Sequence, residues 1–127
     1  FELLVVISII GILTAVGLAS YSSTQKRARD ARRKEDMQTV QKSMEQYYGI
    51  ESAYIAGCDA GDDYLPGGLP NDPKGGDYDD YSWLCDLDSY CICAKLELTG
   101  SGNASDVGDA DSCNFAAGDY YCLQNLQ

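Results

Sequence analysis

Histidine is absent from this chain, and its 127 residues include only two phenylalanines, one tryptophan and three prolines. Without histidine the chain lacks the side chain most often used for acid–base catalysis and metal ligation near neutral pH. The sequence also contains no phosphate-binding loop, no dinucleotide-binding glycine pattern and no nucleophile elbow. These absences argue against an enzyme.

Basic residues are scarce as well, with nine against 20 acids and a formal net charge of −11. Residues 1–50 carry +2 and residues 51–127 carry −13, with Lys74 and Lys95 the only bases in the second part. Six bases lie close together before this change in composition: Lys26, Arg27, Arg29, Arg32, Arg33 and Lys34. Acids at positions 30, 35 and 36 lie among them, which favours ion pairs on a helix surface or between subunits. Anionic lipid is the alternative for this cluster, and nucleic acid is disfavoured.

The N-terminus has a long apolar run in place of charge. Leu3 to Ala19 contains no charged side chain, and only Ser8 and Thr14 are polar. At about 1.5 Å per helical residue the run spans roughly 26 Å, close to the hydrocarbon thickness of a bilayer. A secretory signal is disfavoured because the basic cluster follows the run instead of preceding it. We therefore expect the run to stay in the working protein as an anchor or an assembly element.

This run resembles the N-terminal segment of type IV pilins and pseudopilins, over Glu2-Leu-Leu-Val-Val-Ile-Ser-Ile-Ile-Gly-Ile-Leu. Mature chains of that family typically begin Phe-Thr-Leu-Ile-Glu-Leu-Leu-Val-Val-Ile, so Phe1 stands at the family's residue before the glutamate. The match fades after Tyr21. Ala19 falls where many members have a helix-bending proline, which leaves Gly11 and Gly17 as points of helix flexibility.

The resemblance implies a homopolymer: a subunit stored in the inner membrane and then assembled into an extracellular filament. A prepilin peptidase and an assembly machinery are the further partners that it implies, and adhesion and motility are the roles that it suggests. Glu2 is expected to pair with the N-terminal amine of a neighbouring subunit, because a lone buried charge costs several kcal/mol. A glutamate at the membrane surface, favoured by the helix dipole, is the alternative.

The helical pattern continues beyond the apolar run, since residues 25–48 contain no glycine or proline and their apolar residues recur at helical spacing. We predict one helix over about residues 2–48 that ends at Gly49, with a hydrophobic half at 1–24 and an amphipathic half at 25–50. Residues 51–127 are predicted to form an acidic globular head. Arg32 and Arg33 are expected to contact acids of neighbouring heads, which would otherwise repel each other.

All six cysteines lie in the head: Cys58, Cys85, Cys91, Cys93, Cys113 and Cys122. An even number in so small a domain predicts three disulfides and a location outside the cytosol. Cys91 and Cys93 lie on one face of a predicted strand, about 7 Å apart, and should not pair with each other. The other pairings stay open. Zinc is disfavoured because the single Cys-x-Cys has no second closely spaced pair.

The clearest strand is predicted at residues 90–98, with Ile92, Ala94, Leu96 and Leu98 on the face opposite the cysteines. We expect this aliphatic face to pack on the amphipathic half of the helix and the cysteine face to bond to a covering loop. Shorter strands are predicted at 81–84 and 120–123. The predicted fold is α+β: a long N-terminal helix on a small antiparallel sheet, with a disulfide-linked C-terminal region, as in pilins.

Two weaker patterns concern ligands and modification. Asp72, Asp77, Asp79 and Asp80 lie in a glycine-rich segment and are candidate calcium ligands, with a solvated acidic surface as the alternative. Residues 69–73 resemble the Leu-Pro-x-Asp-Pro loop of major pseudopilins, several of which bind calcium nearby. Calcium is thus the cofactor that the sequence suggests, and none is required. Asn103 begins an Asn-x-Ser sequon in a predicted loop and is a candidate glycosylation site.

The pattern as a whole predicts a structural subunit of a type IV pilus-like filament. One alternative is a pseudopilin of a type II secretion system, suggested by residues 69–73. Another is a monomeric, membrane-anchored head that binds calcium or another ligand.

Overall fold

The computed structural model describes residues 1–75 and 81–127. Within these ranges the chain forms one long α-helix and a five-stranded antiparallel sheet. The elements in chain order are α1 (Glu2–Glu51), β1 (Tyr81–Cys85), β2 (Tyr90–Lys95), β3 (Gly102–Asp106), β4 (Asn114–Gly118) and β5 (Tyr120–Gln124). The predicted α+β class, with the helix packed on a small antiparallel sheet, is confirmed.

Helix α1 runs for 50 residues and passes through Gly11 and Gly17 without a break. It also continues past Gly49, so the predicted stop at that residue is wrong. A glycine inside a helix costs only about 1 kcal/mol relative to alanine, which the packed C-terminal half tolerates. The helix ends where Ser52 takes a left-handed conformation (φ 58°) and its N–H donates to the carbonyl of Tyr48 at 2.8 Å.

The strand order is β1-β2-β5-β3-β4, so the strands predicted near residues 81 and 120 lie on either side of β2. Trp83 of β1 lies opposite Ile92, and Cys122 of β5 lies opposite Cys93. The strands near residues 81 and 120 were predicted, and β2 is shorter at its C-terminal end than predicted. Strands β3 and β4 were not predicted, because both are rich in glycine, alanine and asparagine and their mutual register is irregular.

The main core lies between the C-terminal half of α1 and one face of the sheet. Met37, Val40 and Met44 are fully buried on one side of the helix, and they pack in the same cluster as Ile92 and Ala94 of β2. Burial of a large apolar side chain contributes about 1.5–3 kcal/mol, so this contact is a major source of the head's stability. The prediction that the aliphatic face of β2 meets the amphipathic half-helix is confirmed.

The cysteine face of β2 forms a second buried cluster on the other side of the sheet. Three disulfides are present, as predicted, and they join Cys58 to Cys85, Cys91 to Cys113, and Cys93 to Cys122. The first ties the segment after α1 to β1, the second ties β2 to the segment before β4, and the third crosses from β2 to β5. Two cysteines two residues apart on one strand bond to different partners, as strand geometry requires.

Candidate functional site

The most conspicuous surface is the apolar half-helix, residues 2–24 of α1. Its large aliphatic side chains between residues 3 and 18 are from 51% (Ile9) to 77% (Leu3) exposed. By length and composition α1 could cross a membrane: its most apolar 18-residue window has a mean hydropathy of 2.6 and is 0% buried. A contiguous apolar surface of this length marks contact with lipid or with other protein.

The two hydroxyl side chains within the uncharged run, residues 3–19, already have partners in the helix itself. Ser8 donates to the carbonyl of Val5 at 2.8 Å, and Thr14 donates to the carbonyl of Ile10 at 2.9 Å. Neither hydroxyl therefore needs water, and the segment suits a lipid interior or a packed helical core equally well.

Glu2 lies in the first turn of α1 and is exposed. Among the described residues its carboxylate makes no ion pair or hydrogen bond within its own chain. The carboxylate is therefore open to a partner from another molecule, and the amine of a neighbouring subunit stays a prediction for that partner.

The head is fixed to α1 by a group of charged side chains, the helix–head junction: Arg29, Asp30, Arg33, Asp72 and Glu97. Arg33 is fully buried at its centre and donates to both carboxylate oxygens of Asp72, at 2.6 and 2.9 Å. The same guanidinium donates to Asp30 at 2.8 Å and to Glu97 at 2.9 Å. A buried guanidinium with three carboxylate partners is compensated in charge and in hydrogen bonds.

The outer part of the junction joins the helix to the segment after β2. Arg29 donates to the two oxygens of Glu97 at 2.6 and 2.7 Å. Asp30 accepts from the backbone N–H groups of Glu97 and Leu98 at 2.9 and 3.0 Å. Bidentate pairs of this kind fix orientation as well as distance, so the head packs on the helix in one defined orientation.

Two sequence-based assignments are corrected by this geometry. Arg33 cannot contact a neighbouring head as expected, because its side chain is 0% exposed and is enclosed by acids of its own chain. Asp72 is not free to bind calcium, because both of its oxygens accept from Arg33 and one also accepts from the N–H of Lys74 at 2.8 Å. The charged pattern predicted solvated surface residues; burial against the 65–75 segment makes them internal partners instead.

Of the other candidate residues for subunit contacts and calcium binding, the structure describes one and does not describe the rest. Arg32 has a side chain that is 63% exposed and pairs with Asp36 at 3.1 Å, so its contact with neighbouring heads stays a prediction. Asp77, Asp79 and Asp80 lie outside the described residues. The calcium hypothesis therefore loses the one member that the structure describes.

The charge states at the junction follow from its hydrogen bonds. The hydrogen bonds from Arg29, together with that from Arg33, lower the pKa of Glu97 to about 2, although burial alone would raise it. For Asp72, burial acts to raise the pKa, but hydrogen bonds from Arg33 and from the backbone of Lys74 outweigh it and the pKa is lowered. Both carboxylates are therefore charged at neutral pH.

Two acids of α1, the buried Asp36 and the partly buried Glu45, make further polar links to the head. Asp36 accepts from the hydroxyl of Tyr81 at 2.6 Å. Glu45 accepts from Tyr90 at 2.7 Å, from Tyr54 at 3.1 Å and from the backbone N–H of Leu126 at 3.1 Å. Burial and then the charge of Glu45 raise the pKa of Tyr54 to about 12.

These links were missed by the sequence reasoning, although a signal for them exists. Asp36 and Glu45 are direct neighbours of Met37 and Met44, which form the buried stripe of the helix. Acids at the border of a buried stripe need donors, and the ten tyrosines of the chain are neutral donors whose rings can also be buried.

The cysteine face of β2 brings four sulfurs together. Those of Cys91, Cys93, Cys113 and Cys122 all lie within 4.8 Å of one another, and the four residues are buried. The sulfurs of Cys91 and Cys93 are 3.6 Å apart although they are not bonded. In the sequence, Cys91 and Cys93 have no second closely spaced pair of cysteines. In the fold, the pairing of β2 with β5 and the loop before β4 place Cys122 and Cys113 beside them.

Asn103 lies in β3 and not in a loop, so the predicted setting of the sequon is wrong. Its side chain donates to the carbonyl of Cys122 at 2.9 Å and accepts from the N–H of the same residue at 2.7 Å. The amide thus completes the hydrogen bonding between β3 and β5 at an irregular point. The nitrogen that would carry a glycan is already used in the fold.

Comparison with protein-family models, with curated proteins and with solved structures finds no match. The functional reading therefore depends on the resemblance of the N-terminal residues and on the geometry described above.

Proposed function

We propose that this chain is a structural subunit of an extracellular, type IV pilus-like helical filament, held in a membrane before assembly. One observation carries the proposal: the described side chains of residues 1–28 are all exposed, whereas the head seats on α1 from Arg29 onward. A long apolar helix surface that its own head does not bury must be shielded from water by something else. Lipid does so before assembly, and the helices of neighbouring subunits do so in a filament.

The charge distribution supports the same arrangement. A head with a charge of −13 belongs at a solvated surface, and an apolar half-helix belongs inside. Nucleic acid is a poor partner for so acidic a head. The resemblance of residues 2–13 implies the peptidase and assembly machinery that such a subunit requires.

The N-terminal half of α1 also has the features that close helix packing needs. A Cβ at Gly11 or Gly17 would meet no described atom within 4 Å, so both glycines offer flat places for a neighbouring helix. Glu2 has no described partner in its own chain, and the terminal amine of another subunit would neutralise it in an apolar core.

A pseudopilin of a type II secretion system is the second candidate, and the Leu-Pro-Asn-Asp-Pro sequence at residues 69–73 favours it. It would use the same helix in a shorter, periplasmic filament. The two candidates differ in where the filament forms and how long it grows, not in the subunit contacts proposed here.

Electron microscopy of the full chain tests the proposal. The protein is purified in detergent, the detergent is removed, and negatively stained grids are searched for fibres of uniform diameter; cells expressing the chain with an assembly machinery are imaged in parallel. Fibres on cells support the pilus, and fibres confined to the periplasm support the pseudopilus. Monomers or amorphous aggregate under all of these conditions would contradict both and leave a membrane-anchored monomer.

A further inference from the structure

The four-sulfur cluster has the composition of a metal site as well as that of two disulfides. Cys91 and Cys93 come from β2, Cys122 comes from β5, and Cys113 comes from the segment before β4. The four sulfur atoms lie within 4.8 Å of one another, two of the separations being the disulfide bonds Cys91–Cys113 and Cys93–Cys122. A Zn–S bond of about 2.3 Å places the sulfurs of a tetrahedral site about 3.8 Å apart.

The surroundings of the cluster suit a closed, structural metal site. Three of the four cysteines are 0% exposed and Cys113 is 4% exposed. The cluster is lined by Ala104, with Leu84, Val107 and Tyr120 packed against it. Water is thereby excluded, and no position is left for a substrate, which is typical of a structural site and not of a catalytic one.

We propose that the reduced chain binds one zinc ion through the thiolates of Cys91, Cys93, Cys113 and Cys122. The ion and the two disulfides are then alternative cross-links at the same place, between β2, β5 and the segment before β4. Zinc binding replaces four thiol protons by one Zn²⁺ and needs no redox step. The inference is independent of filament assembly, because it concerns only the head.

The chain starts in the reduced form, since every protein is synthesised with free thiols and disulfides persist only in oxidising compartments. In that form no disulfide joins the segment before β4 to β2. A zinc ion at the cluster would hold β2, β5 and the segment before β4 in their final arrangement, because metal binding to such ligands is coupled to folding. In an oxidising compartment, exchange with two donor disulfides turns the four thiolates into the two disulfides of the cluster; each donor disulfide takes up two electrons and leaves as two thiolates, and the Zn²⁺ is released.

Cobalt(II) binding to the full chain in detergent tests the proposal. A phosphine reduces the protein; each disulfide takes two electrons from one phosphine and yields two thiols, while water supplies the protons and the oxygen of the phosphine oxide. Under anaerobic conditions we expect one Co²⁺ per chain with the absorption of a tetrahedral thiolate site, and displacement of Co²⁺ by Zn²⁺. The oxidised chain should give no such absorption.

Paired variants assign the ligands. The double substitution Cys58→Ser and Cys85→Ser removes the disulfide that lies outside the cluster and should leave the Co²⁺ spectrum and stoichiometry unchanged. The substitution Cys91→Ser with Cys113→Ser removes the same number of thiols and should abolish the spectrum. Equal spectra for the two variants, or loss in the first, would overturn the assignment.

A measurement on the wild-type chain makes the test independent of whether the variants fold. The reduced protein is alkylated with iodoacetamide in the presence and absence of Zn²⁺, and the modified cysteines are mapped by mass spectrometry. We expect zinc to slow the alkylation of the four cluster cysteines relative to the metal-free reduced chain and to leave the alkylation rates of Cys58 and Cys85 unchanged, although Cys58 is also buried. Uniform alkylation of all six residues with zinc present, or absence of the tetrahedral Co²⁺ spectrum, refutes the proposal.

Discussion

Arg33 of α1 and Asp72 of the segment before β1 form a bidentate ion pair, with N–O distances of 2.6 and 2.9 Å and both side chains 0% exposed. The two residues are 39 positions apart in the chain, so the pair closes the long segment after the helix back onto the helix. A buried pair of this kind adds little net stability compared with well-packed apolar residues, but it is costly to break. Its main effect is to permit one docking geometry.

Replacement of Arg33 by Met should lower the free energy of unfolding by about 3–5 kcal/mol, because it leaves Asp72 buried without its cation. The measurement is chemical denaturation of the full chain in detergent, followed by the fluorescence of Trp83. Arg32→Met is the matched control, since Arg32 is the adjacent arginine but is 63% exposed, and it should cost at most about 1 kcal/mol. Equal losses for the two variants would show that the buried pair has no special weight.

Acid should weaken the junction over a defined pH range. The pKa of Glu97 falls from 4.5 to about 2 on folding, so its contribution is fully present above pH 4.5 and is lost as the pH falls toward 2. The lowered pKa of Asp72 acts in the same direction. Glu97→Gln should therefore be less stable at pH 7 and show a smaller loss below pH 4.5, in urea titrations at several pH values. An unchanged pH profile, with the exposed Glu35→Gln as the control, would contradict this.

Glu2→Gln should prevent filament formation and leave the protein in the membrane. The substitution removes the charge and keeps the shape, so a loss of filaments reports the ion pair and not the packing. The measurements are the yield of sheared or sedimented filaments and the membrane fraction of the cells, with Glu35→Gln as a control on the exposed face of the same helix. Wild-type yield from Glu2→Gln would show that the Glu2 ion pair is not required for assembly.

Peptide mapping without reduction should find the three linkages Cys58–Cys85, Cys91–Cys113 and Cys93–Cys122. Loss of any one of them should cost about 2–5 kcal/mol, because the head is small and its core is limited. Thermal unfolding of Cys58→Ser/Cys85→Ser against the wild type checks the cost. A free thiol in the mature protein, or a linkage between Cys91 and Cys93, would be inconsistent with this framework.

Arg32→Glu should weaken filaments at low salt and less so at high salt, because exposed ion pairs between subunits are screened. The prediction no longer includes Arg33, whose replacement would disturb the head itself. Lys42→Glu is the matched control, since Lys42 is exposed on the same helix and the change in charge is identical. Filament dissociation is followed by light scattering across a salt series. The same response from both variants would indicate a general charge effect and not a contact at Arg32.

The sequence predicted those parts of the fold that depend on local periodicity. Met37, Val40 and Met44 recur at helical spacing, and Ile92 and Ala94 alternate with cysteines, so the helix, the central strand and their contact could be predicted. Strands β3 and β4 could not, because their residues have weak strand preference and are held by neighbours that are distant in the chain.

Prediction failed for the candidate site wherever burial depended on long-range packing. Arg33 is adjacent to Arg32 in the sequence, but contacts with Asp72 and Glu97, which are distant in the chain, bury Arg33 while Arg32 stays exposed. The proximity of Cys113 and Cys122 to the cysteines of β2 likewise depends on contacts between segments that are far apart in the sequence, such as the pairing of β2 with β5. In contrast, the uncharged run at residues 3–19 was recognised from composition alone as an anchor or assembly element, and its described side chains are exposed in the fold.

The head contacts α1 only from Arg29 onward, so the preceding part of the helix extends from the head as a lever arm. About 27 residues separate Arg29 from Glu2, so at 1.5 Å per residue the free arm is about 40 Å long, and a tilt of about 5° at its base displaces its tip by about 3.5 Å. That displacement exceeds the length of a hydrogen bond. The rigidity of the helix–head junction around Arg33 therefore limits how precisely Glu2 is positioned for its proposed contact with a neighbouring subunit.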